Sequence, residues 1–203
     1  MVDKYACFAA LVASEPTAAY AIRARDLGTP IVVAAPHGGG IEPGTSEVAV
    51  SIAGDRYSYY LFEGMKARSN RDALHITSVN FDEPSCLSLL RSARTVLTVH
   101  GEKSSSDVLY IGGLDAGTIA EIRSVLEPAG FQVRQHPNVS LRALDRRNIC
   151  NIGTRGEGVQ LELSCGLRRS FFESLSREGR KVPTPRLSQF GSLIQQALRK
   201  SGL

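Results

Sequence analysis

The chain has 203 residues, 42% of them hydrophobic, enough for one substantial core and short for two, so a single domain over residues 1–203 is expected, with Cys7, Cys86, Cys150 and Cys165 as reduced thiols. Lys and Arg number 24 against 20 Asp and Glu, a formal charge of +4 concentrated in residues 134–199; this favours an anionic partner, while the lack of a basic run interleaved with aromatics, a zinc finger or an RNP-like signature argues against nucleic acid. No stretch approaches the roughly 18–20 apolar residues that span a bilayer, and no coiled-coil segment is present, so no membrane partner and a monomer are expected.

"KYACFAALVAS" superficially fits a signal peptide, but Tyr5, Phe8, Leu11 and Val12 recur on one face of a helix and Asp3 weakens the positive start. A mature, cytoplasmic first helix is the expectation, with release by lysis left open. "TPIVVAAPHGG" then reads as a short buried strand, and "TSEVAVSIAG" as a helix capped by Thr45 or Ser46. "YSYYLFEG" and "ALHITSVNF" read as strands, "EPSCLSLLRSA" as a helix, and "RTVLTVHG" and "DVLYIGG" as strands. An amphipathic helix follows in "DAGTIAEIRSVLEPAG", then a short strand in "FQVRQH" and a strongly β segment in "GVQLELS". "SREGRKVPTPR" is a loop before the closing helix "RLSQFGSLIQQALRK". The alternation predicts an α/β domain with a mixed, largely parallel central sheet flanked by helices.

Ligands of such sheets bind at the carboxyl ends of the strands. His37 follows "IVVAA", His100 ends "TVLTV" and Glu162 lies in "VQLELS", so one rim can gather all three. A catalytic zinc takes three ligands from His, Asp, Glu or Cys, and His37, Glu42 and His100 meet that count. Gly38, Gly39 and Gly40 permit the chain to fold back and bring Glu42 beside His37, leaving open space for substrate; a mobile glycine loop is the plainer reading. Glu47 is a rival ligand, better read as a first-turn acid facing the helix dipole. His75 reads as hydrogen-bonded packing and His136 as loop. Glu162 is either a general base and acid on a metal-activated water or the partner of a nearby arginine. Arg147, Asn148 and Arg168 are candidates for holding substrate carboxylates, with surface charge as the alternative for each.

Taken together, "PHGGGIEPGTSE", "ALHITSVNFDEP", "VLTVHGE", "YIGGLD" and "NICNIGTRGEGVQLELSCGLR" resemble, in order, the blocks of the poly-gamma-glutamate hydrolase family of bacteriophages and bacterial genomes. The resemblance implies a fold similar to the zinc carboxypeptidases and one Zn2+ per chain. His37, Glu42 and His100 match the family's zinc ligands, and Glu162 its catalytic glutamate. The implied activity is hydrolysis of the γ-glutamyl amide of a polyanionic poly-γ-glutamate substrate by a metal-activated water. The broader carboxypeptidase group spaces its first His and Glu by two residues, whereas four lie between His37 and Glu42, a departure the hydrolase family shares. Alternatives are a zinc amidase for small N-acyl or γ-glutamyl amino acids or peptidoglycan γ-glutamyl bonds, and a polyanion-binding module without catalysis.

Overall fold

The structure is a computed structural model and describes residues 3–201. Its seven strands are β1 (Tyr20–Arg25), β2 (Ile31–Gly39), β3 (Ser58–Gly64), β4 (Thr95–Gly101), β5 (Leu109–Gly113), β6 (Val133–Arg134) and β7 (Val159–Leu163). They form one sheet in the order β1-β3-β2-β4-β7-β5-β6. The pairs β2/β3, β2/β4, β4/β7 and β5/β6 are parallel; β1/β3 and β5/β7 are antiparallel. The sheet is therefore mixed and largely parallel, as expected.

Its central strands are buried on both faces, which is why "IVVAA" is a continuous apolar run. Ile31, Val33, Ala35, Leu97, Val99, Leu161 and Leu163 point to one side. There they pack under α2 (Thr45–Ala53), α5 (Ala116–Leu126) and α7 (Pro185–Lys200). Val32, Ala34, Tyr60, Phe62 and Val96 point to the other, joined by Leu11 of α1 (Phe8–Ser14), Leu74 of α3 (Asn70–Leu74) and Leu90 of α4 (Pro84–Ser92). Burying a side chain such as Leu11 stabilises by about 1.5–3 kcal/mol, enough to seat so short a helix as α1. Val12, expected on the same face, is 43% exposed.

Several expectations are corrected. Residues 73–81 form no strand: α3 ends at Leu74, and the following segment is irregular, tied down by Asp3, which accepts from the Thr77 amide. The alternation there was a chance one, and Leu74 and Ile76 reach the second core through a helix end and a turn. In "FQVRQH" only Val133 and Arg134 pair. The cap of α2 is Gly44, at φ 101°, rather than Thr45 or Ser46. The loop 176–186 contains a 3-10 turn at Gly179–Lys181 and the start of α7. Edge strand β1 and α6 (Cys165–Ser170), capped by Ser164, complete the fold.

Candidate metal centre

β2, β4 and β7 lie side by side and parallel, so their carboxyl ends share a rim that carries His37, His100 and Glu162. Strict alternation would send His37 after Ile31, Val33 and Ala35 into the core beneath α2. The register of β2 on β3 instead shifts between Ala35 and Gly38, across Pro36, which has no N–H to give the ladder. The shift turns the His37 ring to the other face, edge-on to Phe81. On β4, His100 follows Val96 and Thr98 to that face, and Glu162 of β7 is its register partner.

The turn from His37 to Glu42 is hydrogen-bonded throughout. Gly40 N–H donates to the Gly64 carbonyl at 2.9 Å, Ile41 N–H to Gly38 at 3.2 Å, and Glu42 N–H to His37 at 2.8 Å. Gly39 sits at φ +62°, and a Cβ there would lie 2.6 Å from the Gly64 oxygen. Gly39 thus presses this turn onto β3, while the side chains of Ser46 and Asn70 occupy the space toward which a Cβ on Gly38 or Gly40 would point.

His37 Nδ1 lies 3.1 Å from His100 Nδ1 and 3.5 Å from Glu42 Oε2, with His100 Nδ1 3.8 Å from the same oxygen. The three residues are 2–4% exposed. His37 Nε2 is 2.8 Å from the Ile76 carbonyl. A carbonyl only accepts, so Nε2 carries the ring proton and the Nδ1 lone pair faces His100 and Glu42. Three electron-pair donors converging at these distances fit a shared cation, and two imidazoles with one carboxylate suit zinc. A backbone carbonyl behind a ligating histidine is the usual outer partner that fixes its tautomer.

Burial opposes the charge on Glu42, while Arg71 beside it, and His37 and His100 when protonated, favour that charge and lower the carboxyl below its usual range. Its Oε2 accepts the Gly101 N–H at 2.8 Å and its Oε1 accepts Arg71 Nη1 at 3.1 Å. Burial, with His37 alongside, pushes the His100 imidazole down to about 3. Burial and the neighbouring Glu42 charge push the Glu162 carboxyl well above the carboxylate range. Glu162 has no ion pair among the described residues; it accepts from Gln160 Nε2 at 3.0 Å.

The other singled-out residues fall as follows. His75 stacks on His37 with ring centroids 4.1 Å apart and contacts Asp3 at 2.7 Å, so it is hydrogen-bonded packing at the back of the centre. His136 lies in the loop after β6 and its Nδ1 accepts the Asn138 N–H. Glu47 accepts from Arg180 Nε at 2.9 Å. Arg168 is 5% exposed, and its guanidinium donates to the carbonyls of Leu163, Pro43 and Glu102, so the surface-charge alternative is wrong for it. Asn148 is buried, donating to Gln160 Oε1 and accepting from Cys150 N–H. Arg147 is exposed and paired with Asp145. Arg71, whose side chain is 45% exposed while touching Glu42, is the cation that sequence reading passed over. "SNRDAL" offers no signal for it beyond a helix start just before the segment read as a strand.

Fold and centre together define a class: an α/β protein with a buried His/Glu/His site of metal-binding character at the carboxyl rim of its sheet. A profile of the poly-gamma-glutamate hydrolase family matches residues 5–193, and the chain belongs to that family. A bacteriophage poly-gamma-glutamate hydrolase of known structure is 31% identical, superposes with a TM-score of 0.94 and is covered to 98%, as is this chain. YNDL, solved in an apo form described as zinc-free, is 35% identical with a TM-score of 0.93 and full coverage of both chains. The SPbeta prophage-derived UPF0714 protein YoqZ of Bacillus subtilis (strain 168) is 40% identical over 88% of this chain, which spans 65% of YoqZ's length. No helix among the described residues is long and apolar enough to cross a membrane.

Proposed function

We propose that the protein is a zinc-dependent hydrolase of the γ-glutamyl amide bonds of poly-γ-glutamate. The observation that carries this is the convergence of His37 Nδ1, His100 Nδ1 and a Glu42 oxygen within 4.8 Å of one another, with the Glu162 carboxyl on the adjoining strand, in a chain of this family. His37, Glu42 and His100 would hold the ion. Bound zinc supplies a Lewis acid that lowers the pKa of water and polarises an amide carbonyl.

The protein's own groups do the rest. Glu162, buried on the strand adjoining His100, would take a proton from the attacking water and hand it to the departing nitrogen. Arg71, half exposed above Glu42, is the cation available to a carboxylate or developing oxyanion of the substrate. Arg168 and Asn148, with their polar atoms turned inward, act on structure: Arg168 ties the Glu42 turn through Pro43 to the end of β4 through Glu102, and Asn148 orients Gln160. Arg147 remains at the surface beside Asp145, without a neighbour in the centre among the described contacts.

Glu162→Gln keeps the shape and the Gln160 neighbour while removing the proton acceptor. Turnover of poly-γ-glutamate is expected to fall by at least about 100-fold with zinc content unchanged. Retained activity overturns the role of Glu162, and activity only on short γ-glutamyl or N-acyl amides moves the substrate from polymer to small molecules.

A further inference from the structure

Beside the metal centre lies a cavity of about 250 Å3 that the chemistry above does not use. Gly40 and Asn70 form its floor, and Lys66, Arg68, Arg177 and Arg180 surround it; among the described residues no carboxylate lines it. Two of the four cations are spoken for. Lys66 Nζ lies 2.6 Å from Glu15, and Arg180 Nε 2.9 Å from Glu47. Among the described residues Arg177 donates only to the Met65 carbonyl at 3.1 Å, and Arg68 has no ion pair. The cavity therefore holds two exposed guanidinium charges without a counter-ion among the described residues.

Its shape is fixed in advance. Asn70, 6% exposed, accepts the Lys66 N–H on Oδ1 at 2.9 Å and donates from Nδ2 to the Lys66 carbonyl at 2.8 Å, closing the 66–70 turn upon itself. Within that turn Ser69 is held at φ 57°, a left-handed conformation unfavourable for a non-glycine residue. The floor also joins the cavity to the centre. Gly40 belongs to the turn between His37 and Glu42, and Asn70 precedes Arg71, whose guanidinium reaches Glu42.

We infer that this cavity is a subsite for the free carboxylate of a substrate unit beyond the two that flank the bond that is cut, with Arg68 and Arg177 as its cations. The inference rests on the hydrolase reading and sharpens its substrate class. A γ-linked glutamyl chain leaves an α-carboxylate on every unit, so a polymer threading past Arg71 presents a second anion at a regular spacing. γ-Glutamylglutamate consists only of the two units that flank its bond and has none beyond them. The volume is below the roughly 300–1,000 Å3 of pockets that engulf a whole drug-sized ligand, which suits capture of one segment of a chain. Guanidinium groups pair bidentately with carboxylates, and these two are free to do so.

The test uses the full chain in two states. Treated with a chelator, it is titrated into fluorescently labelled poly-γ-glutamate at low ionic strength. The double variant Arg68→Gln/Arg177→Gln is expected to bind about tenfold more weakly, and Arg68→Lys/Arg177→Lys to recover part of the loss. With its metal, the Gln variant is expected to show a KM for polymer raised about tenfold, kcat little changed, and kcat/KM for γ-glutamylglutamate unaltered. Both side chains are exposed, so the fold tolerates the changes, and an unchanged thermal melt checks it. Equal polymer binding by wild type and Gln variant, no binding by either, or equal losses on polymer and dipeptide overturns the subsite. If wild type cleaves neither substrate, the hydrolase reading fails, while the binding arm still reports on the cavity. A loss confined to a single-stranded nucleic acid probe would also overturn it, assigning the cations to phosphates.

Discussion

Gln160 fixes Glu162 from two positions away on the same face of β7. Its Nε2 donates to Glu162 Oε1 at 3.0 Å and to the Leu141 carbonyl at 3.3 Å, while its Oε1 accepts from Asn148 at 3.1 Å. Both ends of the amide are thereby committed, and it cannot flip without losing a partner. A hydrogen bond is worth about 0.5–1.5 kcal/mol net, and about 1.5–3 kcal/mol when one partner is charged. Gln160→Ala is therefore expected to lower kcat by about tenfold or more, leaving KM and zinc content in place. A rise in KM alone, measured by steady-state kinetics with metal analysis, would remove Gln160 from the positioning of Glu162.

At the scale of elements, the centre depends on close approach between the ends of β2 and β4 and the turn that follows His37. At Gly101, the end of β4, a Cβ would lie 2.9 Å from Glu42 Cβ and 2.8 Å from Arg168 Cζ. Gly101→Ala is expected to displace Glu42, lowering zinc affinity by at least about tenfold while far-ultraviolet circular dichroism stays near wild type; unchanged affinity would show that the turn has slack. The sequence makes β2, β4 and β7 visible because their apolar runs are long, and His37, His100 and Glu162 visible because polar residues at the ends of such runs stand out. Edge strand β1 escapes because its mostly exposed or half-buried residues leave no pattern of burial to read. The segment 73–81 misleads because tertiary contacts, not ladder partners, bury Leu74 and Ile76. His37 faces the centre only through the register shift at Pro36, which period-two reasoning would have inverted. Arg71 stays hidden because its role comes from α3 packing across the Glu42 turn, a long-range fact.

For the whole molecule, Glu15 links the N-terminal segment to the body of the domain. It contacts Lys4 at 2.8 Å, accepts from the Tyr5 hydroxyl at 2.8 Å and pairs with Lys66 at 2.6 Å. The hydrogen bonds from Lys4, Lys66 and Tyr5 hold its carboxyl down to about 2, against an ordinary value of 4.5. A depressed carboxyl stabilises the fold fully above its unfolded pKa, and that contribution is lost as pH falls through the folded value. Wild type and Glu15→Gln should thus differ in urea midpoint at pH 7 and converge toward pH 2; a gap independent of pH would mean that charge plays no part. The proposed activity rests on fold, centre and family, and its most direct test joins composition to catalysis. Zinc is quantified in the purified protein, and the size distribution of poly-γ-glutamate is followed with and without chelator. One zinc per chain with shortening that stops on chelation and returns on adding zinc is the predicted result. Protein that binds no metal, or that shortens the polymer equally well after complete metal removal, would contradict the account.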